Sequence, residues 1–249
     1  MTDSRSARSG AESAPADYAG ARFLLRIEED LKNYNAWIVD TFLRSIADRA
    51  PIDGKVLDFG CGIGTLSRIF HERTGIRPDG IERDAKQRSV FGERGFRGFA
   101  SLAEADRQYD VIFTSNVLEH IEDDAAALTE LRQRLADGGT LLVYVPAFDL
   151  LWTRMDDKIG HHRRYTRGEL VSKLERTGYT VRQSRYCDPV GFVLALAFRL
   201  IGSKDGEPSS KSLRLFDRIL LPFTKAFDPM FSRLLGKNIF VVAQKKRGA

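Results

Sequence analysis

Short continuous apolar runs alternate along the chain with segments whose apolar residues recur every three or four positions. The continuous runs predict buried strands, and they occupy residues 55–59, 77–81, 96–100, 110–114 and 140–145. The periodic segments predict amphipathic helices, and they occupy residues 65–73, 85–94 and 123–135. Because apolar strands that alternate with helices are typical of sheets covered on both faces, the pattern predicts a parallel α/β sheet.

The chain before the first predicted strand divides into two parts. Residues 1–17 are rich in Ser, Ala, Arg and Gly and lack a periodic apolar pattern, so we expect a disordered tail there. Residues 28–47 carry apolar positions at helical spacing and predict an amphipathic helix. We therefore expect a single folded domain over residues 18–249.

A second set of elements follows residue 146, after which the pattern loosens. Residues 167–177 predict a helix, and Thr166 and Glu169 have the spacing of a capping box at its start. Residues 179–186 alternate like a strand, and the apolar run at 238–244 predicts the last strand. With these two strands the predicted sheet has seven.

The segment between the last two predicted strands, residues 188–237, looks mainly helical and is basic. Within it, the apolar stretch 191–201 is too short to span a bilayer. Residues 154–249 carry 20 Lys and Arg against 9 Asp and Glu, whereas residues 1–153 carry 19 against 25. Basic, aromatic-rich helices can lie on an anionic membrane, cover an apolar substrate or contact another subunit. Ordinary packing onto the sheet is the further alternative.

Composition excludes several classes of protein. The 249 residues are 43% hydrophobic and 29% charged, which is typical of a soluble globular chain and not of collagen-like or disordered ones. The two cysteines, Cys61 and Cys187, are too few for a disulfide framework. The N-terminal residues lack the apolar segment of a secretory signal. We therefore expect a cytoplasmic protein, with the inner face of the membrane as a second possible place.

A glycine-rich turn follows the first predicted strand. Gly60, Gly62 and Gly64 allow a tight turn and let a ligand approach the backbone closely. The next helix begins there, so its free N–H groups and positive dipole end face the ligand. Glu82 ends the second predicted strand, 24 residues after Asp58, where a carboxylate can accept the hydroxyls of a ribose. These features predict a ligand that contains a nucleoside.

The spacing of these glycines is G-x-G-x-G after Asp58, which differs from the dinucleotide fingerprint G-x-G-x-x-G. It resembles motif I of the class I S-adenosylmethionine-dependent methyltransferases. Gly80-Ile81-Glu82, residues 109–121 and residues 137–141 resemble that family's later motifs in order and spacing. The resemblance implies a Rossmann-like, seven-stranded, mostly parallel sheet with helices on both faces. A helical insertion would precede the last strand, and S-adenosylmethionine would be the cofactor.

The resemblance also implies roles for residues at the ends of the first four strands. The implied cofactor-binding residues are Asp58, Gly60, Cys61, Gly62, Glu82, Arg83, Ser101, Asn116 and Leu118. Glu119 and His120 would lie near the methyl-transfer face, and His120 is a candidate catalytic residue. Tyr34, in the first predicted helix, is a candidate wall residue of the pocket, although packing in the core is an equal alternative.

The run from His161 to Tyr165 is a second candidate site. His161 and His162 are candidate general bases, because the pKa of an ordinary histidine lies near neutrality. Arg163, Arg164 and Tyr165 are candidate substrate residues, since a guanidinium suits a phosphate or carboxylate. The alternative is a solvated basic loop whose arginines pair with Asp156 and Asp157. The His and Cys residues do not reach metal-ligand spacing along the chain, so no metal is expected.

These observations predict an enzyme that transfers a methyl group to an oxygen or nitrogen atom of a small molecule. Lipid-linked and anionic acceptors are both open. The alternative is a non-catalytic module that keeps the nucleotide pocket and acts as a membrane-surface or partner adapter. A nucleic-acid methyltransferase is disfavoured, because residues 115–118 do not have the Asn/Asp-Pro-Pro-Tyr type of motif. The oligomeric state is left open.

Overall fold

Seven strands and ten α-helices make up the part of the chain that the computed structural model describes, residues 17–47, 54–201 and 209–246. The strands are β1 (Val56–Phe59), β2 (Asp79–Ile81), β3 (Gly98–Phe99), β4 (Tyr109–Ser115), β5 (Leu135–Pro146), β6 (Tyr179–Cys187) and β7 (Asn238–Lys245). The helices are α1 (Asp17–Asp30), α2 (Lys32–Ile46), α3 (Thr65–Thr74), α4 (Ala85–Glu93), α5 (Asp124–Arg134), α6 (Arg154–Lys158), α7 (Arg167–Arg176), α8 (Pro189–Ile201), α9 (Ser210–Leu215) and α10 (Leu221–Phe231). The predicted tail lies outside the described residues, except that Asp17 begins α1.

All seven strands belong to one sheet, in the order β3-β2-β1-β4-β5-β7-β6. The first five strands pair in parallel, and β7 lies antiparallel between β5 and β6. This arrangement confirms the predicted seven-stranded, mostly parallel sheet. The strand order reverses between β1 and β4, and ligands of such sheets bind outside the carboxyl ends of the strands at that point.

Apolar side chains cover both faces of the sheet, as continuous apolar strands require. On one face, Leu128 of α5 and Leu170 of α7 pack with strand residues such as Ile112. On the other face, Phe42 of α2 and Phe70 of α3 pack against the strands, and their rings lie 5.6 Å and 5.5 Å from the ring of Phe113. Helices therefore cover both faces of the sheet.

The prediction of one helix over residues 28–47 is wrong, because the chain forms α1 and α2 with a break at Leu31. Leu31 has a φ of −123°, outside the helical range. The carboxylate of Asp217, from the segment before α10, accepts hydrogen bonds from the backbone N–H groups of Asn33 (3.2 Å) and Tyr34 (2.8 Å). A distant carboxylate therefore caps the start of α2 and stabilises a helix end that the local sequence does not specify.

Strand β5 is longer than the predicted strand at 140–145, because its pairing with β4 extends back to Leu135. The register shifts where Tyr109 pairs with Leu135 and Val111 pairs with Thr140. Residues 137–139 lie within this irregular start and do not form a separate turn. Apart from shifts of one to three residues at their ends, the remaining predicted helices and strands agree with the structure. The predicted capping box of Thr166 and Glu169 is confirmed at α7.

The predicted helical insertion contains α8, α9, a π-helical turn at Phe216–Leu220 and α10. Its residues 202–208 lie outside the described ones. The insertion is tied to the body of the fold by buried carboxylates. Asp228 accepts a hydrogen bond from the Asp188 backbone N–H (3.0 Å) and contacts Arg185, while Asp30 pairs with Arg214 at 2.8 Å. None of the helices within the described ranges combines the length and the apolar character that crossing a bilayer would require.

Candidate active site

The glycine loop joins β1 to α3 at the carboxyl edge of the sheet. Its residues Gly60 and Gly62 have φ values of 78° and 53°, a left-handed conformation that favours glycine. A Cβ atom on Gly60 would lie 2.2 Å from Cγ2 of Val117, so this position also lacks room for a side chain. The N–H groups of Gly60 and Cys61 both donate to the carbonyl oxygen of Ile81, which ties the loop to the end of β2.

Glu82 stands at the end of β2 and reaches back to the glycine loop. One carboxylate oxygen accepts a hydrogen bond from the Gly62 N–H (3.0 Å), and the other accepts one from the Asp84 N–H (2.9 Å). Each carboxylate oxygen has a second lone pair that can accept a ribose hydroxyl. The loop and this carboxylate thus form a cradle that fits a nucleoside-containing cofactor.

Asp58 and Cys61 lie beneath the same loop. Asp58 is buried and accepts a hydrogen bond from the Ser67 hydroxyl at 2.8 Å. Burial, with a smaller contribution from the charge of Glu82, raises the pKa of Asp58 to about 7. A cationic ligand group would favour its ionised form. Burial likewise raises the pKa of the Cys61 thiol well above its usual range, so this thiol fits a packing role and not that of a nucleophile.

Helix α1 covers the glycine loop through contacts of Glu28 that were not predicted from the sequence. The Glu28 carboxylate accepts hydrogen bonds from Thr65 (2.9 Å) at the start of α3 and from Arg94 (2.9 Å) just after α4. Arg68 of α3 also contacts Glu28 at 3.2 Å. These partners lie 37 to 66 residues from Glu28 in the chain, so no local pattern could have indicated them.

The remaining predicted cofactor residues follow the next strands along the same edge. Arg83 comes directly after Glu82 and is exposed, and Ser101 is exposed at the start of a short 3-10 helix after β3. Asn116 follows β4 with a φ of 54° and is exposed, whereas the Leu118 side chain is fully buried. The fold thus brings these backbone positions to one edge of the sheet, while the Leu118 side chain packs in the core.

Two segments meet beyond β4, one containing Glu119 and His120 and the other containing His161. The backbone N–H of His162 donates to the Glu119 carbonyl oxygen at 2.7 Å and joins the segments. The rings of His120 and His161 pack edge to face, with their centroids 4.5 Å apart. His161 Nδ1 lies 2.8 Å from Oδ1 of Asp156, while Nε2 lies 3.8 Å from Oε1 of Glu119. The His162 side chain is exposed.

The protonation of this cluster differs from that of the free amino acids. Glu119 is completely buried, and burial raises its pKa to about 8. Partial desolvation, together with the neighbouring His161, lowers the pKa of His120, although one side of the residue is exposed to solvent. Burial opposes ionisation of Asp156, but hydrogen bonds from His161 and Arg164 hold its pKa well below the usual range. Near neutral pH, the cluster therefore contains an ionised Asp156 beside an uncharged Glu119 and His120.

The predicted substrate residues have structural partners. Arg164 donates two hydrogen bonds to Asp156 at 2.8 Å and 3.0 Å. This contact agrees with the alternative prediction, in which the arginines of this loop pair with nearby aspartates. Arg163 pairs instead with Asp124 at 3.0 Å, which also accepts the Tyr165 hydroxyl at 2.6 Å. Arg163, Arg164 and Tyr165 line one cleft of about 550 Å³, which leaves a role in substrate contact open as a prediction.

Tyr34 lies in the core beneath β5 and β7. Its hydroxyl lies 3.0 Å from the Tyr144 hydroxyl and accepts a hydrogen bond from Asn238 at 2.8 Å. The side chain is only 7% exposed. These contacts favour the core alternative of the sequence analysis for Tyr34.

Comparison with known families bears on this site. Residues 28–184 match the sequence profile of the family described as methyltransferase domain, which is more than half of the chain. The chain belongs to this methyltransferase family. Membership confirms the predicted relationship to the class I S-adenosylmethionine-dependent methyltransferases and the predicted cofactor, S-adenosylmethionine. The cradle formed by the glycine loop and Glu82 fits that cofactor.

Curated relatives include ubiquinone biosynthesis O-methyltransferases. The one from Ruegeria sp. (strain TM1040) is 32% identical over 114 residues, 41% of this chain and 45% of the relative. The one from Caulobacter vibrioides is 33% identical over 115 residues, 41% and 45% of the two chains. An uncharacterized 37.1 kDa protein in transposon TN4556 of Streptomyces fradiae is 28% identical over 201 residues, which are 74% of this chain and 54% of that protein. The chain thus spans about half the length of the curated relatives it matches.

Solved structures share the fold at low sequence identity. The complex between the Haloferax volcanii Trm112 methyltransferase activator and its methyltransferase has a TM-score of 0.64 at 13% identity, over 95% of this chain and 100% of that one. Phosphoethanolamine N-methyltransferase 2 of Haemonchus contortus has a TM-score of 0.61 at 15% identity, and the match covers 91% of this chain and 58% of that one. These similarities show the fold alone.

Proposed function

We propose that this methyltransferase moves a methyl group from S-adenosylmethionine to an oxygen atom of a small-molecule acceptor. The observation that carries the proposal is the contact of Glu82 with the glycine loop after β1, because the Glu119, His120 and His161 cluster follows the neighbouring strands β4 and β5. When bound, S-adenosylmethionine supplies a methyl group on a positively charged sulfur. The chain's own residues then need to position the acceptor, exclude water and accept a proton.

On the cofactor side, Glu82 is proposed to accept the ribose hydroxyls. The loop from Gly60 to Gly62 is proposed to line the methionine part with its backbone, while Asp58 orders the loop or meets the amino group. The pKa of Asp58 near 7 supports the second role, because an ammonium group would favour the ionised form. Arg83 and Ser101 are proposed to flank the adenine, and Asn116 and Leu118 to approach the methionine end.

On the acceptor side, two observations favour a hydroxyl as the reacting group. The curated relatives from Ruegeria and Caulobacter are O-methyltransferases. A hydroxyl must lose its proton during methyl transfer, and His161 is the predicted histidine best oriented to assist this step. Its Nδ1 lies against the Asp156 carboxylate, so Nε2 points towards Glu119 and His120. An imidazole fixed in this way accepts a proton or ligates a cation through Nε2.

The helical insertion is proposed to cover an apolar or lipid-linked acceptor and to touch an anionic membrane. Its helix α8 packs on the segment after β5, where the rings of Phe192 and Phe148 lie 5.7 Å apart, edge to face. Arg199 of α8 donates to the Leu150 carbonyl oxygen. Towards solvent, the insertion exposes large apolar side chains, including Phe223 (54% exposed) and Met230 (63% exposed). Basic residues accompany these side chains, as anionic lipid would require.

The non-catalytic adapter is the less favoured alternative. An adapter would require only the cofactor cradle. A histidine that is oriented by a buried carboxylate would serve no purpose in it. The contact of His161 with Asp156 and of Glu119 with the His162 backbone therefore supports an enzyme.

Calorimetry with S-adenosylhomocysteine, followed by a methyl-transfer assay, tests the proposal. We expect S-adenosylhomocysteine to bind in the micromolar range and Glu82→Gln to weaken this binding. We also expect radiolabel transfer from S-adenosylmethionine to apolar acceptors that carry a hydroxyl and not to those that carry an amine. The matched control, Glu130→Gln, alters an exposed glutamate of α5. If S-adenosylhomocysteine did not bind at about 1 mM, the result would contradict the proposed enzymatic function, since Michaelis constants rarely exceed that concentration. Transfer to the amines alone would contradict the oxygen acceptor.

A further inference from the structure

Three potential metal ligands lie together at the carboxyl edge of the sheet although the chain separates them. One carboxylate oxygen of Glu119 and one ring nitrogen each of His120 and His161 all lie within 4.8 Å of one another. Their spacing along the chain does not match that of metal ligands, which is why no metal is expected from the sequence alone. Spacing along the chain does not decide the matter here, because the fold brings the segments after β4 and β5 into contact.

The Glu119 carboxylate lacks the partners that a buried carboxylate requires. Its side chain is completely buried, and neither oxygen has a hydrogen-bond partner among the described residues. The nearest ring nitrogen, Nε2 of His161, is 3.8 Å from Oε1, which is beyond hydrogen-bond distance. A buried polar group without a partner is costly, and a bound ion is one of the few ways to satisfy it.

His161 is oriented as a ligating histidine would be. Its Nδ1 lies 2.8 Å from Asp156, which is itself held by two hydrogen bonds from Arg164. Metal-bound histidines usually donate their other ring N–H to a carboxylate, which fixes the tautomer and directs the remaining nitrogen at the metal. A general base could use the same orientation, but it would not explain the unsatisfied oxygens of Glu119.

We propose that Glu119, His120 and His161 bind a divalent cation of the zinc type, with Asp156 as a positioning residue. Two imidazoles and one carboxylate suit Zn²⁺, Co²⁺ or Fe²⁺, whereas Mg²⁺ and Ca²⁺ prefer sites made of oxygen ligands. Three protein ligands leave at least one coordination position open. His120 is exposed, which gives the ion a route to the buried carboxylate.

The function of such an ion rests on the proposed methyl transfer. The cluster lies just beyond Asn116, at the end of β4 next to the strand that carries the glycine loop. An acceptor hydroxyl that occupied the open position would have a lowered pKa, as metal-bound water does, and would release its proton to solvent water. Its oxygen would then form the new bond to the methyl carbon, while the carbon–sulfur bond breaks and the sulfur keeps the electron pair. The acceptor class is then one that presents an oxygen to a metal, and His161 acts as a ligand instead of as a base.

Cobalt substitution tests the site without any assay of activity. The full chain, free of affinity tags and stripped with a chelator, is titrated with Co²⁺ while visible absorption is recorded, and retained Zn²⁺ is measured by mass spectrometry. We expect one equivalent of either ion and a visible Co²⁺ band. Glu119→Gln and His161→Ala should abolish both, and Asp156→Asn should weaken binding about 10- to 100-fold.

The matched control is His162→Ala, which removes the exposed neighbouring imidazole and leaves the backbone contact to Glu119 in place. His120→Asn, at an exposed position, keeps the test informative if a buried variant fails to fold. The absence of a Co²⁺ band, or equal binding by the wild type and all ligand variants, would overturn the proposal. S-adenosylhomocysteine binding, measured in parallel, separates failure of the metal site from failure of the proposed function.

Discussion

The Glu82 carboxylate accepts a hydrogen bond from the Gly62 backbone N–H at 3.0 Å, so the end of β2 and the glycine loop after β1 form one unit. The same carboxylate accepts the Asp84 N–H at 2.9 Å. Two backbone donors thus hold both oxygens in place before a ligand arrives. A carboxylate that needs no rearrangement loses little conformational entropy on binding, which favours affinity.

Replacing Glu82 with Gln should therefore reduce cofactor affinity more than stability. The amide oxygen can still accept one backbone hydrogen bond, but the charge that strengthens contacts to the ribose hydroxyls is lost. Hydrogen bonds to a charged group contribute about 1.5–3 kcal/mol, so we expect S-adenosylhomocysteine to bind about 10- to 100-fold more weakly in calorimetry. Unchanged affinity in Glu82→Gln, with Glu130→Gln as the control, would rule out the assigned role.

Gly60→Ala should destabilise the protein through both backbone strain and a steric clash. A left-handed residue other than glycine costs about 1–2 kcal/mol, and overpacking about 1–3 kcal/mol more. The clash arises because a Cβ atom would lie 2.2 Å from Cγ2 of Val117. The measurement is the free energy of unfolding in urea together with S-adenosylhomocysteine affinity, and both should fall.

Gly75 provides the matched control, since it has a φ of 77° but no atom within 4 Å of the added Cβ. Gly75→Ala should cost only the strain, about 1–2 kcal/mol. Combining Gly60→Ala with Val117→Ala should recover part of the loss, because the smaller side chain relieves the clash. Equal losses in Gly60→Ala and Gly75→Ala, with no recovery in the double variant, would show that space at Gly60 is unimportant.

The sheet and the cofactor cradle could be predicted because their signals are local. The glycines lie within five consecutive residues, Glu82 ends an apolar run, and the capping box at Thr166 occupies four positions. Parallel topology then brings Gly60 and Glu82 to the same edge without further information. The period of the apolar positions likewise determines which residues face the core.

The cap of α2 and the polar contacts around the candidate site could not be predicted, because they depend on contacts between distant segments. Asp217 caps α2 from 184 residues away, and Glu28 contacts Arg94 across 66 residues. The prediction of no metal used only the spacing of residues along the chain, whereas His161 comes close to Glu119 only after the segments following β4 and β5 have packed. Polar pairs of this type leave no periodic pattern in a single sequence.

Asp58→Asn should make stability less dependent on pH. Burial raises the pKa of Asp58 from 3.8 to about 7, so the folded state binds a proton that the unfolded state releases. This contribution to stability is complete below pH 3.8 and is lost as the pH rises through about 7. From about pH 5 to pH 8, the unfolding free energy of the wild type should fall by roughly 2–3 kcal/mol, because the difference in proton binding extends over about two pH units of this range.

The asparagine variant keeps an oxygen that can accept the Ser67 hydrogen bond, so it should lose only the ionisation. Its unfolding free energy in urea should vary less between these pH values, and its stability relative to the wild type should improve as the pH rises. Asp137→Asn removes one exposed carboxylate and controls for the change in net charge. Parallel pH profiles of Asp58→Asn and the wild type would contradict a buried, protonated Asp58.

The apolar surface of α10 should contribute to binding of anionic vesicles. Phe223 and Phe227 are exposed large side chains on this helix, and inserting both into a bilayer would bury their apolar area. The double change to serine should reduce co-sedimentation with phosphatidylserine vesicles about tenfold or more. Ile159→Ser removes an exposed apolar side chain outside the insertion and should have no effect. Equal recovery of all three proteins would argue against membrane contact by α10.

Tyr34→Phe should lower stability and leave cofactor affinity unchanged, because the Tyr34 hydroxyl serves a buried network. Its removal leaves Asn238 Nδ2 without the partner at 2.8 Å and the Tyr144 hydroxyl without the one at 3.0 Å. Unsatisfied buried groups cost about 1–3 kcal/mol, which lowers the melting temperature by roughly 2–4 °C per kcal/mol in a chain of this size. Tyr179→Phe, which removes another buried hydroxyl, should behave alike. If Tyr34→Phe alone weakened S-adenosylhomocysteine binding while its melting temperature stayed constant, Tyr34 would belong to the pocket wall.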